Sequence, residues 1–327
     1  MAAGSRFRVV DGCRVLLSPY RAHSSRRVGD SLPVAAVRTE LGVPSIFLPP
    51  GIGDLHWLML KMRSFSDTHL GGKRPDVWLM EAGDKNRAAD YVDRVPLVRY
   101  RGTYNPPWGG HLHMEMLYRS GVLQNQDGFD WVLCANPHLE RSGDFREWMP
   151  ELAIDWDYEI EERAGDADFA DEVLDHGPFI LASFYRDGWY GEHFLQHFGI
   201  DGLAALLRDL NRTCRVLLTG AWWDRPFLGD LARLSGVSDH LVGETTCPQL
   251  LSILRRCAGY VGHAAGNGIM AAHFRRPTAL LWSSTKFSAP LFDSWVRPED
   301  NGTLYRAVDV ARYSVAAEVT EHLRGAM

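Results

Sequence analysis

The stretch from Phe47 to Met62 decides the fold and reads Phe-Leu-Pro-Pro-Gly-Ile-Gly-Asp-Leu-His-Trp-Leu-Met-Leu-Lys-Met. An apolar run ends in two prolines, and a Gly-x-Gly turn follows. Apolar residues then recur at positions 55, 58, 59 and 62, the spacing of a helix. The stretch predicts a strand, a tight turn and a helix, with Asp54 in the first helical turn. Open α/β sheets bind ligands at that edge, but a carboxylate there also serves as a simple helix cap.

Length and composition indicate two globular domains. A chain of 327 residues suits two domains of roughly 150 residues each. No apolar run approaches the roughly 20 residues that span a membrane, and the N-terminus lacks the apolar region of a signal peptide. The five cysteines are odd in number and include no Cys-x-x-Cys pair, which favours a reducing, cytoplasmic location.

Charge is unevenly divided along the chain. Residues 1–150 carry 19 Lys and Arg against 16 Asp and Glu, whereas the remainder carries 16 against 25, for a net charge of −6. Much of the acidity lies in residues 151–175, where Arg163 is the only base. A charge run of this kind is typical of a solvated segment. We therefore interpret it as an exposed connection between domains 1–175 and 176–327, the first of which carries an extra hairpin (7–10 and 14–17).

Both halves alternate strands with helices, which predicts two parallel sheets in an α/β fold. Strands are predicted at residues 46–48, 74–81, 129–135, 178–184, 215–219, 240–242, 259–261 and 278–282, helices at 86–93, 200–210, 224–234 and 248–257, and a loop followed by a helix at 262–272.

A second glycine loop, Gly266-Asn267-Gly268, lies between a predicted strand and a predicted helix. Its glycines allow a close approach of the backbone to a ligand, and a helix N-terminus offers N–H groups to an anion such as a diphosphate. The sequence contains neither G-x-G-x-x-G nor G-x-x-x-x-G-K-[ST]. This counts against a dinucleotide oxidoreductase and against a P-loop NTPase.

Together these segments resemble the heptosyltransferase-type enzymes of glycosyltransferase family 9. Residues 51–54 match the family's G-x-G-D turn. Residues 261–277 follow its pattern V-x-x-D-[ST]-G-x-x-H-x-x-A-x-x-x-x-P at Gly266, Ala272 and Pro277. The likeness runs from residue 44 to residue 285. It implies the GT-B fold, in which two Rossmann-like domains face each other across a cleft.

Several positions depart from the family pattern. Ala264 stands where the family has Asp. Ala265 replaces the family's Ser or Thr, and Ile269 replaces its His. After Ser183 the family has a lysine for the donor phosphates. This chain has no lysine there, and Arg186 is the nearest cation. The nucleotide-diphosphate part is thus retained in outline, while the part that reads the donor sugar is altered.

The resemblance implies an inverting, hexosyl- or heptosyl-type transfer from a nucleoside-diphosphate sugar to an acceptor hydroxyl. Asp54 would act as the general base. No D-x-D pair stands where a metal-dependent transferase holds one, so we expect no metal and no cofactor beyond the donor. By this resemblance the donor-binding residues are Gly53, Ser183, Arg186, Gly220, Asp224, Thr246, His263, Gly266, Asn267 and Gly268.

The N-terminal half is expected to bind the acceptor. Its candidate contacts are His56, Trp57, Trp108 and His111, near cations at Arg21, Arg26, Arg27, Lys61, Arg63, Lys73, Arg74, Arg99 and Arg101. Rings interleaved with cations suit a phosphorylated or lipid-linked glycan, and also a hydroxymethylated DNA whose target base is flipped out. The net charge of −6 places the carbohydrate first.

Two other functions stay open at this stage. A nucleotide-sugar epimerase of the same fold would convert the donor without an acceptor. A nucleotide-sugar-binding protein that has lost catalysis would explain the departures from the family pattern, although the retained Asp54 speaks against it.

Overall fold

The stretch around Asp54 forms the predicted strand, turn and helix. The structure is a computed structural model that describes residues 7–10, 13–16, 42–81, 88–104, 122–126, 128–133, 149–185, 198–263, 265–284, 293, 296–311 and 315–324. Strand β3 of the chain comprises Ser45–Leu48 and is buried throughout. Helix α1 comprises Ile52–His69, and the N–H of Leu55 donates to the Gly51 carbonyl (2.9 Å), so the helix begins directly after the prolines.

The first compact unit of the chain, Ser24–Glu162, contains a five-stranded sheet. Its other elements are β4 (Asp76–Met80), α2 (Ala89–Val92), β5 (Arg99–Tyr104), β6 (Val122–Gln126) and β7 (Phe129–Leu133). The strand order is β5-β4-β3-β7-β6, and all neighbours are parallel except the β6–β7 hairpin. Phe47 packs between Tyr104 and Phe129 at ring distances of 5.6 and 5.3 Å, which ties three strands together.

Helix α1 is buried on more than one face, because residues 149–160 pack along it. The Asp155 N–H donates to the Leu60 carbonyl (2.7 Å), and the buried Lys61 donates its Nζ to the Met149 carbonyl (2.9 Å). Within this segment Tyr158 and Ile160 are buried, whereas Asp157 and Glu159 are exposed. Our interpretation of residues 151–175 as an exposed connection therefore holds for most of the acidic side chains, but not for the buried Asp166 or for the backbone.

The second compact unit combines Met1–His23 with Arg163–Met327. Its strands are β1 (Phe7–Val10), β2 (Cys13–Leu16), β8 (Phe179–Ser183), β9 (Arg215–Thr219), β10 (Asp239–His240), β11 (Gly259–His263), β12 (Thr278–Trp282) and β13 (Tyr305–Asp309). Its helices are α3 (Ala164–Leu174), α4 (Gly199–Asn211), α5 (Arg225–Ser235), α6 (Cys247–Arg256), α7 (Gly266–His273), α8 (Pro298–Asn301) and α9 (Val315–Arg324). The strand order is β1-β2-β10-β9-β8-β11-β12-β13, parallel apart from the β1–β2 hairpin.

The core of the second unit follows the predicted periodicity. Helix α4 buries apolar residues at positions 203, 206, 207 and 210, one face of a helix. They pack with the buried strand residues Ile180, Val216 and Val261. In the described residues no helix is both long and apolar enough to cross a membrane.

The boundary between the units differs from the predicted one. The division falls between residues 162 and 163, and α3 lies in the second unit, where Phe169 and Val173 are buried and the Val173 carbonyl accepts from Arg215 (2.7 Å). The hairpin forms as predicted, but β2 pairs with β10 of the second unit and not with the first. Local sequence patterns predict a hairpin without specifying the sheet to which it pairs.

Candidate functional site

Each sheet has one topological switch point, where consecutive connections change direction. In the first unit the chain runs outward from β3 through β4 to β5, while β7 lies on the other side of β3. In the second unit it runs from β8 through β9 to β10, and then from β11 through β12 to β13 on the other side of β8. Ligands of open α/β sheets bind outside the carboxyl ends of the strands at such points. The candidate sites are therefore the residues that follow β3, β8 and β11.

Asp54 follows β3 and is the third residue of α1. It is half-buried, and its carboxylate lies close to Gly51. A Cβ at position 51 would stand 2.7 Å from Asp54 Oδ2, closer than real contacts allow. The glycine thus provides the space that the carboxylate occupies, and the N-terminal end of the helix dipole stabilises the negative charge there. Gly53, half-buried as well, is the second residue of the helix.

His56 and Trp57 are core residues of the first unit. His56 is 1% exposed, and its Nδ1 is hydrogen-bonded to the Tyr158 hydroxyl (2.7 Å), which in turn contacts the Tyr91 hydroxyl. Trp57 is 6% exposed and its ring centroid lies 6.4 Å from that of Trp156. We therefore assign both to packing rather than to an acceptor surface. The other predicted contacts, Trp108 and His111, and the donor candidate Arg186 lie outside the described residues.

At the switch point of the second unit, Ser183 and Asn267 come together. Ser183 ends β8, and its Oγ accepts a hydrogen bond from Asn267 Nδ2 (3.3 Å) at the start of α7. The buried Tyr260 hydroxyl is hydrogen-bonded to Ser183 as well. Gly262 makes this close approach possible, because a Cβ there would lie 2.3 Å from the Ser183 carbonyl oxygen and 2.6 Å from the Tyr260 hydroxyl.

His263 fixes the segment that follows β8. It is 1% exposed, and its Nδ1 accepts a hydrogen bond from the Tyr185 N–H (3.3 Å). Its ring lies edge-on to Phe184 and Tyr185, with centroids at 5.4 and 4.7 Å. Burial lowers the pKa of His263 to about 3, so the imidazole is neutral and Nδ1 stays an acceptor. In this position His263 holds the neighbouring backbone in place.

Helix α7 begins at the switch point with Gly266. Its N-cap is Ala265, in extended conformation, whose side chain has no hydrogen-bonding group to cap the helix. The side chain of residue 265 therefore caps none of the N–H groups in the first turn of α7, and such N–H groups can bind an anion. Gly268 has a packing role, because a Cβ there would lie 2.4 Å from Leu280 Cδ2 of β12.

Three predicted donor residues lie at β9 and β10, beyond the switch point, and each has a structural partner. A Cβ at Gly220 would stand 2.3 Å from Leu228 Cδ1. Asp224 Oδ2 accepts from the Ala221 N–H (3.0 Å) and closes the turn after β9. Thr246 forms a capping box with Gln249 at the start of α6, with distances of 3.3 and 2.9 Å.

The described cations of the first unit are engaged within the protein. Arg99 and Arg101 both pair with the buried Asp76, at 2.7 and 3.0 Å, near the amino end of the sheet. Other contacts join Lys61 with the Met149 carbonyl, Arg63 with Asp155, Lys73 with the Gly42 carbonyl and Arg74 with the Val98 carbonyl. Arg21, Arg26 and Arg27 lie outside the described residues.

The sequence interpretation missed several residues of the site. Tyr185, Tyr260 and Gly262 contribute through contacts between distant segments, which no local pattern reveals, although a glycine inside a strand, such as Gly262, is a general signal of close backbone approach. Within the described part of the chain, no group of three or more His, Cys, Asp or Glu side chains is placed to hold a metal ion.

Comparison with known proteins supports the fold prediction. No protein-family model matches this chain, and no curated protein sequence matches it. Among solved structures, the Escherichia coli ADP-heptose LPS heptosyltransferase II is 14% identical, with a TM-score of 0.55 over 87% of this chain and 98% of the other. The glycosyl transferase family 9 protein of Veillonella parvula is 12% identical, with a TM-score of 0.52 over 88% and 98%. The chain has the α/β GT-B fold of these glycosyltransferases, and the predicted resemblance to heptosyltransferases is confirmed at the level of the fold.

Proposed function

We propose that this chain is an inverting glycosyltransferase that moves a sugar from a nucleoside-diphosphate sugar to an acceptor hydroxyl. One observation carries the proposal: in a GT-B fold, Asp54 follows the switch-point strand of one sheet and the Gly266-Asn267-Gly268 turn follows that of the other. A carboxylate suits proton removal, and a glycine-rich helix N-terminus suits a diphosphate.

In this mechanism Asp54 takes the proton of the acceptor hydroxyl as its oxygen attacks the anomeric carbon. The bond from that carbon to the diphosphate oxygen breaks in the same displacement, which inverts the carbon. The N–H groups at the start of α7 stabilise the charge that develops on the leaving nucleoside diphosphate. Ser183, Asn267 and His263 keep the end of β8 and the start of α7 in position.

For the acceptor we propose a small or lipid-linked glycan. The structure supports this choice over hydroxymethylated DNA, because the described cations of residues 42–104 have partners inside the protein. Asp76 and Asp155 offset part of the charge of the arginines that they hold, which reduces the positive surface that a polynucleotide needs. We further propose that transfer needs no metal, so EDTA should leave the activity unchanged.

The donor is found by thermal shift with a panel of nucleoside diphosphates and nucleotide sugars, such as those of uridine, adenosine and guanosine. A ligand present at 100 times its Kd adds about 2.7 kcal/mol to the free energy of unfolding. We expect at least one member to raise the melting temperature. If none does, the proposed function is wrong.

The role of Asp54 is tested by Asp54→Asn, which removes the base but keeps the shape. We expect donor binding to persist and turnover to fall by at least roughly 10²-fold. The matched control is Asp201→Asn, the same change at an exposed residue in the first turn of α4, which should keep normal turnover.

Three results would contradict the proposed mechanism, and two of them identify the alternatives. Near-normal turnover of Asp54→Asn would mean that Asp54 only stabilises the start of α1. Conversion of the donor sugar without any acceptor would identify an epimerase. Donor binding by the wild type without turnover on any glycan or DNA acceptor would identify a binding protein.

A further inference from the structure

Trp222 is the most exposed aromatic side chain in the described part of the chain. It is 49% exposed, and among described large apolar side chains only Leu304, at 51%, is comparable. Its ring contacts Trp223 edge-on, with centroids 5.6 Å apart and planes at 80°. About half of the surface of Trp222 is therefore open to solvent. An exposed indole is a surface on which a flat ligand can stack.

The backbone that carries Trp222 is held firmly even though the side chain is exposed. It lies in the 3-10 turn Trp222–Asp224, closed by the hydrogen bond from the Ala221 N–H to Asp224. Gly243, with φ of +69°, packs against it so closely that a Cβ there would lie 2.7 Å from Trp222 Cα. The Gly243 N–H donates to the Gly220 carbonyl at 2.8 Å.

Arg225 adds a second connection between the same two loops. Its Nε donates to the Val242 carbonyl at 3.2 Å, and its Nη2 pairs with Glu244 at 2.5 Å. The indole is thus presented from a fixed base rather than from a loose loop. Binding to a fixed surface costs less entropy than binding to one that must first be ordered.

Trp222 lies at the same edge of the sheet as the N-terminus of α7. Thr219 of β9, Ser183 of β8 and Gly262 of β11 are in register across three adjacent parallel strands. Trp222 follows Thr219 by three residues, and Gly266 follows Gly262 by four. Two interstrand steps separate β9 from β11 by about 10 Å along the edge. The end of β8 lies between them.

We propose that Trp222 is the surface on which the nucleobase of the donor stacks. This inference rests on the proposed function, since it takes the diphosphate at the start of α7 as given. A nucleotide carries a ribose between its phosphates and its base, so the base lies to one side of the phosphates. With the phosphates at α7 and the ribose across the end of β8, the base reaches the loop after β9.

The ligand class is therefore a nucleotide held by both ends, with a stacked base and hydrogen-bonded phosphates. Stacking tolerates every base because each has a π-face, so Trp222 contributes affinity for the nucleotide rather than a choice between bases. Inorganic pyrophosphate, which lacks the base and the ribose, should bind independently of Trp222.

The test measures Kd by calorimetry for the nucleoside diphosphate that binds the wild type most tightly, and for inorganic pyrophosphate. We expect Trp222→Ala to raise Kd for the nucleotide by roughly 5- to 100-fold, and to leave Kd for pyrophosphate unchanged. Trp222→Phe should retain most of the affinity, and Trp222→Leu, which is apolar but has no ring, should not. Unchanged pyrophosphate binding also reports that the variants are folded.

The matched control is Leu304→Ala, since Leu304 is equally exposed but precedes β13 at the opposite, amino edge of the sheet. It should leave both dissociation constants unchanged. If the wild type binds nucleotides and Trp222→Ala binds them equally well, this inference is wrong and the proposed function stands. Equal losses for nucleotide and pyrophosphate would also overturn it. If the wild type binds no nucleotide, both proposals are wrong.

Discussion

Burial separates the residues of this chain that can meet a substrate from those that hold the site together. Asp54 and Asn267 lie half-buried at the two switch points, where a ligand can reach them. His56, Lys61 and His263, which are also polar, are each 1% exposed and hydrogen-bonded to protein groups. A buried polar group is tolerated when it has such a partner, and losing the partner is costly. We therefore expect substitutions of these three residues to act first on stability.

His263 should make the stability of the protein depend on pH. Its pKa is about 3 in the folded protein and about 6.5 in the unfolded chain, so between these values only the unfolded chain binds the proton. Stability is then complete above pH 6.5 and falls as the pH drops towards 3, by up to about 1.4 kcal/mol per pH unit. We expect His263→Asn, which keeps an acceptor for the Tyr185 N–H, to weaken this dependence.

Urea denaturation at several values between pH 7 and pH 4 measures the effect. Wild type and His263→Asn should differ most at pH 7 and converge as the pH falls, because the variant lacks the group that must be protonated. Parallel curves for the two proteins would mean that His263 takes up its proton in the folded state as well.

At the scale of secondary-structure elements, the helices that follow the switch points begin without a side-chain cap, as α3, α4 and α5 also do. Helix α6 begins with the capping box of Thr246 and Gln249. Helices α1 and α7 begin after Gly51 and Ala265, neither of which has a side chain that can cap. Their first turns are accordingly suited to groups brought by a side chain such as Asp54 or by a ligand.

Two helical glycines, Gly268 in α7 and Gly229 in α5, differ in whether the structure requires them. A Cβ at Gly268 would meet Leu280 at 2.4 Å and push the helix away from β12. We expect Gly268→Ala to lower the free energy of unfolding by about 1–3 kcal/mol. Gly229 in α5 is exposed and has nothing within 4 Å of its Cβ position, so Gly229→Ala should raise stability by about 0.5–1 kcal/mol.

Chemical denaturation of the two variants beside the wild type measures both changes. We expect the free energy of unfolding to fall for Gly268→Ala and to rise for Gly229→Ala. A neutral Gly268→Ala would mean that α7 shifts easily on the sheet, and this would weaken the assignment of its first turn as a preorganised anion site.

The elements that the sequence predicted well are those determined by their own residues. Strands β3, β8 and β9 are short apolar runs that the sheets bury completely or nearly so, and α4 shows its buried face in its spacing. The sequence also predicted the position of Asp54, because a glycine turn between strand and helix fixes it locally. Strand β13 and helix α9 lay beyond our prediction, and the hairpin was placed with the wrong unit.

The wrong predictions concern residues whose burial is determined by segments that are distant in the sequence. His56 and Trp57 lie on the side of α1 that the spacing leaves for solvent, and residues 149–160 cover that side. No feature of residues 47–62 predicts this cover. The exposure of Trp222 is likewise invisible in the sequence, since an aromatic residue after a buried strand is ordinarily expected to be buried as well.

For the whole molecule, the distribution of charge bears on the acceptor. The net charge is −6, and residues 42–104 hold their described cations against carboxylates and carbonyls. Polynucleotide binding depends on cations that are free to displace the counterions of phosphates. The net negative charge, and the pairing of Arg63, Arg99 and Arg101 with carboxylates, reduce that driving force.

We therefore expect no detectable binding of a labelled duplex, with or without hydroxymethyl pyrimidines, in fluorescence anisotropy at about 50 mM salt. A small glycan acceptor should instead show turnover that depends only weakly on salt, because few charges are exchanged when it binds. Arg99→Gln and Arg101→Gln should leave glycan turnover unchanged, since both arginines pair with Asp76 near the amino end of the sheet, away from Asp54. Duplex binding that falls steeply and linearly with the logarithm of salt concentration, and that these two variants abolish, would reverse the ranking and make modified DNA the acceptor.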